Sequence, residues 1–184
     1  MLDMQLGESQ AKWIAYKPQN DEWVYNDGEV SEKAMSAFIF DHENIKAGWG
    51  KVQAGAPPEY KWRANNNVPE PQPGEDYKKA MSVDLYFNTE HMQGVYSWTT
   101  NAYGPVQGIY DLYAEIYKEA ANNPDKLAVV KYIGNETKKF TVGSTKIPQF
   151  EIIKWVDRPE DWSTETIAEP EPVAEETTQD DIPF

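Results

Sequence analysis

The sequence predicts a mainly β domain: a small antiparallel barrel interrupted by one helix and followed by a disordered acidic tail. Three observations carry this. Short segments alternate apolar and polar residues between Gly, Asn and Pro punctuation, a single stretch has helical spacing, and after Trp162 apolar content falls while acids accumulate. The 184 residues, 40% hydrophobic and 13% aromatic, suffice for one domain with a core and an appendage. The expected division is residues 1–162 as the domain and 163–184 as the tail.

In chain order, a short strand is expected at 12–16 and another at 35–40. Residues 52–78 read as a long irregular loop, with Pro57, Pro58, Pro69, Pro71, Pro73 and three successive asparagines, Asn65 to Asn67. The cleanest strand is 80–87, where Met81, Val83, Leu85 and Phe87 share one face and Ser82, Asp84 and Tyr86 the other. A strand at 94–100 precedes the helix. Pro105 suits a first helical turn, Val106, Ile109, Tyr110, Tyr113, Ile116 and Tyr117 recur at helical spacing, and Asn122-Asn123-Pro124 stops it. Strands at 127–133, 138–142 and 150–156 complete the domain. A small barrel with one helix between strands is the plan of the OB-fold, which binds single strands across its sheet and loops. A β-sandwich with one inserted helix would give the same linear pattern.

The tail reads as Thr, Glu, Pro, Ala and Val, with too little apolar surface to offset its ordering entropy. It carries seven acids and no base, which leaves 24 acids against 17 bases in residues 1–162, so the domain keeps −7 of the formal −14. That balance weighs against a general polyanion binder unless the cations cluster. With no cysteine, disulfides and thiolate zinc sites are excluded. The start, Met1-Leu2-Asp3-Met4-Gln5-Leu6, reads as neither a secretion signal nor a membrane span, so a cytoplasmic protein without a membrane partner is expected.

Binding a single strand without sequence preference needs cations along the phosphates and flat rings for the bases. Residues 46–79 interleave both: Trp49, Tyr60, Trp62 and Tyr77, with six bases, Lys46, Lys51, Lys61, Arg63, Lys78 and Lys79, against four acids. Trp49 stands between Gly48 and Gly50, where the backbone is open to close approach. Tyr96 and Trp98 share one face of the strand at 94–100 and offer either a ring platform or core packing, and Tyr86 points away from the core and would extend that platform. Tyr110, Tyr113 and Tyr117 follow the helix period and are expected in packing. His42 and His91 have no metal-ligand spacing and are expected at the surface, and Glu160 and Asp161 look like a solvated turn. No cofactor, metal or catalytic group is expected, and the protein is not read as an enzyme.

The chain ends in Asp180-Asp181-Ile182-Pro183-Phe184: two carboxylates, a stiff Ile-Pro pair, and a terminal Phe whose α-carboxylate adds charge. Such a peptide suits an apolar pocket rimmed by Arg or Lys. This tip resembles that of bacterial single-stranded-DNA-binding proteins, and the whole looks similar to divergent phage-encoded members. The resemblance covers five residues. It implies single-stranded DNA as ligand and replication, repair or recombination proteins as partners docked by the tip, in a bacterial cell or phage-infected host; homo-oligomerisation stays open. The alternative is an acidic interaction protein or DNA mimic that occupies the same docking pocket without binding DNA.

Overall fold

The computed structural model describes residues 12–162, in which ten strands and one α-helix form a mainly β fold. The strands are β1 (Lys12–Lys17), β2 (Glu22–Tyr25), β3 (Val30–Glu32), β4 (Phe38–Phe40), β5 (Lys46–Lys51), β6 (Glu59–Trp62), β7 (Lys78–Asn88), β8 (Gln93–Thr100), β9 (Leu127–Lys139) and β10 (Ser144–Val156); α1 spans Tyr103–Ala120. They build a single strongly curled half-barrel sheet rather than two packed sheets. All pairs are antiparallel except β1 with β8.

Strand β7 organises the rest. One edge pairs with β8 from Met81 to Asn88. The other pairs first with β5, from Lys78 to Ser82, and then with β4, at Leu85 and Tyr86. Between β4 and β5 the chain makes a short 3-10 turn, His42–Asn44, started by Asp41, whose side chain accepts from the Glu43 N–H at 3.2 Å. The sheet therefore forks at Asp41. One branch continues from β4 into the long β9–β10 hairpin, and the other runs from β5 into β6.

The alternation of β7 fixes the core face. Met81, Val83, Leu85 and Phe87 are buried, and the register sets Tyr96 opposite Leu85 and Trp98 opposite Val83, so both rings join that face. Trp98 meets Trp23 edge-on at 5.0 Å, and Trp23 in turn meets Tyr132 at 5.3 Å, a geometry that aromatic quadrupoles favour. Helix α1 closes the mouth of the half-barrel with Ile109, Leu112 and Ile116 inward. It lies against β10 closely enough that a Cβ on Gly108 would sit 2.8 Å from the Pro148 carbonyl oxygen, and one on Gly104 would overlap the Lys146 carbonyl. Two glycines four apart thus set the depth of docking.

Beyond the core face, half-buried Asp84 accepts from the Ser97 hydroxyl at 2.7 Å. Burial pushes its carboxyl up, and the Asp41 carboxylate adds to the shift. A carboxyl whose folded value is raised keeps its proton longer in the native state, so stability falls as pH rises through the window above the unfolded value. The cost is fully present above the folded value. Asp84→Asn, which still accepts from Ser97, is therefore expected to melt at or above the parent temperature at neutral pH, with any advantage disappearing in acid. A lower melting temperature at neutral pH would show that the carboxylate is net stabilising.

Candidate nucleic-acid interface

The segment that reads as an irregular loop between 52 and 78 contains β6, and Trp49 with its flanking glycines belongs to β5. Glycines explain why. The register places Trp62 opposite Gly48 and Tyr60 opposite Gly50; a Cβ on Gly50 would meet the Tyr60 ring at 2.7 Å, and one on Gly48 would overlap the Lys61 carbonyl. The two glycines make room for β6 and for a stacked Tyr60–Trp62 pair, 5.1 Å between centroids and 6° from parallel. Gly48→Ala is expected to cost about 1–3 kcal/mol by overpacking and to lower the melting temperature by roughly 2–12 °C. Unchanged thermal melting of that variant would overturn this account.

Alternation across β5, β6 and β7 divides the six cations between two faces. Lys46 and Lys78 share the face of Tyr60 and Trp62. Lys51, Lys61, Arg63 and Lys79 share the opposite face with Trp49, so residues 46–79 do not present one continuous basic surface. On that second face, Lys51 and Lys61 sit over the Tyr77 ring at 5.5 and 5.8 Å, and Lys51 lies 3.8 Å from Glu59. Trp49 is half-buried and donates through Nε1 to the Glu70 carbonyl at 3.1 Å. The asparagine run is tied down as well: Asn66 donates to the Ile45 carbonyl at 2.8 Å and accepts from the Ala47 N–H at 3.3 Å.

Arg63 and Lys79 border a groove of about 390 Å³ between β5 and α1. Ala47, Met81 and Val106 give it an apolar floor, and Tyr110 and Tyr113 form the helical wall. Arg63 donates through Nη1 to the Asn66 carbonyl at 3.2 Å, while its buried Nε finds no partner among the described residues. One open cleft thus brings together two cations, two phenol rings and apolar carbon, within the size range of small-molecule sites.

Several expected contacts fall elsewhere. Tyr96 and Trp98 are 4% and 1% exposed, so of the two readings for β8 the ring platform falls and core packing holds: pairing with Leu85 and Val83 turns both rings into the core. Tyr86 does point away from the core, but its ring stacks on Trp162 at 5.5 Å and its hydroxyl donates to Asp161 at 3.0 Å. His91 is exposed, whereas His42 is half-buried against Trp155 at 6.3 Å, where burial lowers its imidazole pKa. Of the helix tyrosines, Tyr113 packs against the core as expected, whereas Tyr110 and Tyr117 are 56% and 69% exposed, and the helix spends Ile109, Leu112 and Ile116 on its core stripe. Asp180, Asp181, Ile182, Pro183 and Phe184 lie outside the described residues.

A second basic region escaped the sequence reading. Residues 127–156 hold five lysines and two glutamates, a larger local surplus than that of 46–79. They form the β9–β10 hairpin, whose outer part is exposed from Glu136 to Ser144. The signal was available as a charge count but was divided among three short expected strands. Fold and site together define a curled-sheet protein with a groove lined by rings and cations. No protein-family model, curated protein or solved structure matches the chain.

Proposed function

We propose that the chain binds single-stranded DNA without strong sequence preference and, through Asp180-Asp181-Ile182-Pro183-Phe184, recruits replication, repair or recombination proteins. The observation that carries the first half is the groove, where Arg63 and Lys79 can meet phosphates while Tyr110 and Tyr113 offer stacking faces. The curled sheet with its inserted helix is compatible with an OB-like barrel, and no catalytic role is assigned. Among the described residues no helix is long and apolar enough to cross a membrane. The second half rests on the terminal pentapeptide and its resemblance.

One observation favours the other reading, a decoy or DNA mimic that fills a partner's docking pocket: residues 1–162 carry 24 acids against 17 bases. Titrating the full chain with an oligothymidine while following Trp fluorescence separates the two. A strand binder changes its emission saturably with oligonucleotide, whereas a decoy gives a flat titration and no shift in a parallel gel assay. Phe184→Ala is expected to leave strand binding as it was and abolish capture of the partner proteins. Equal loss of both would mean that the tip is not a separate hook.

A further inference from the structure

Tyr103, Tyr110 and Tyr117 stand seven residues apart on α1, two helical turns within about 20°, so their rings follow one flank at intervals of about 10.5 Å. They are 50%, 56% and 69% exposed. Tyr113 joins the same flank, its ring 6.0 Å from that of Tyr117. Helix packing accounts for Tyr113, which lies against the core, but not for Tyr103, Tyr110 and Tyr117, since the core otherwise uses Ile109, Leu112 and Ile116 and the contact with β10 uses Gly104 and Gly108. The exposed acids Asp111, Glu115 and Glu119, each four apart, form a row on the other flank. Rings and acids are therefore segregated on the exposed helix surface.

The stripe joins two basic regions. Its middle, Tyr110, borders the groove of Arg63 and Lys79. Its first ring, Tyr103, meets Phe140 edge-on at 5.3 Å at the tip of the β9–β10 hairpin, where Lys138 and Lys139 are exposed. That tip is a defined turn: the Phe140 N–H donates to the Gly143 carbonyl at 3.0 Å, and Gly143 takes a φ of +84° that side chains disfavour. An apolar partner would suit the rings but would leave the flanking lysines without counter-charge, whereas a single strand matches rings with bases and lysines with phosphates.

We propose that the surface for single-stranded DNA continues from the groove both ways along the tyrosine flank of α1, to Tyr117 at one end and through Tyr103 to the hairpin tip at the other, with Tyr103, Tyr117 and Phe140 stacking bases and Lys138 and Lys139 meeting phosphates. This rests on the groove's reading as a strand-binding site. The track from Tyr103 to Tyr117 rises about 21 Å, room for roughly six nucleotides at duplex rise and fewer if the strand is stretched.

The test compares the full chain with a Tyr103→Ala/Tyr117→Ala/Phe140→Ala variant on oligothymidines of increasing length. The variant should bind short oligonucleotides as the parent does and lose about 10-fold or more on those long enough to leave the groove. Tyr103→Phe/Tyr117→Phe, which keeps the stacking faces, should retain parental affinity. Photocrosslinking of a bromodeoxyuridine strand to the unaltered chain should label peptides containing Tyr103 or Phe140, which keeps the idea testable if the triple variant melts early. Parental affinity of the triple variant at every length, or crosslinks confined to the groove, overturns the extension and leaves the groove standing. Failure of the unaltered chain to bind any length overturns both.

Discussion

Replacing Arg63 and Lys79 together with alanine is expected to weaken binding to a short oligothymidine by about 100-fold at low salt, with two charge-assisted contacts worth roughly a decade each. The salt dependence should change with it. Single strands release about 0.7 counterion per neutralised phosphate, so the slope of log affinity against log salt should flatten by about 1.4. The comparison that gives this force is Lys46→Ala/Lys78→Ala, which removes the same formal charge from the opposite face of the same three strands. If attraction depended only on net charge, the two double variants would weaken binding alike. If the groove holds the strand, the first loses affinity and slope and the second loses little of either. Arg63 also bonds the Asn66 carbonyl, so matched melting curves belong with the titrations.

That contrast was not legible in the sequence, and the reason is geometric. Counting cations between 46 and 79 finds the surplus, but alternation assigns faces only once strands are known, and β5 hides its own period. Gly48 and Gly50 carry no side chain to alternate, and their purpose appears only when β6 is laid across them. By contrast, 80–87 announced itself because Met81, Val83, Leu85 and Phe87 all carry large apolar groups, and α1 did so through the spacing of Val106, Ile109, Tyr110, Tyr113, Ile116 and Tyr117. In β8, where Tyr96 and Trp98 alternate with Val95, Ser97 and Thr99, the pattern gives two faces without saying which turns inward. Either a platform shared with Tyr86 or core packing fits that alternation, and pairing with β7 decides for the core by setting Tyr96 and Trp98 on the side of the sheet opposite Tyr86. Strands β2 and β3 span four and three residues, too short to show a period, between turns where Asp21, Asn26 and Asp27 hold positive φ.

Arg158→Ala is expected to cost about 3 kcal/mol, or roughly 6–12 °C of melting temperature. Asp41 is fully buried at the point where the sheet forks. Both its oxygens are engaged by the guanidinium, at 2.9 Å through Nη2 and 3.3 Å through Nη1, and Arg158 also reaches Glu43 at 2.9 Å. Without Arg158 the carboxylate keeps only the Glu43 N–H and the Asn44 side-chain amide, at 3.2 and 2.9 Å. A buried charge left with so few donors is destabilising, although water reaching a site whose arginine is 19% exposed holds the cost to the lower end of the usual range. The loss spreads further, because the guanidinium lies 4.8 Å over Trp162, whose other neighbour is the Tyr86 ring; residues 158–162 form a strap across β7. A second substitution separates charge from strap. Asp41→Asn in the Arg158→Ala background should recover part of the stability, since a neutral amide tolerates burial where a lone carboxylate does not. Recovery would assign the cost to the orphaned charge, and its absence would assign it to the lost contact with Trp162.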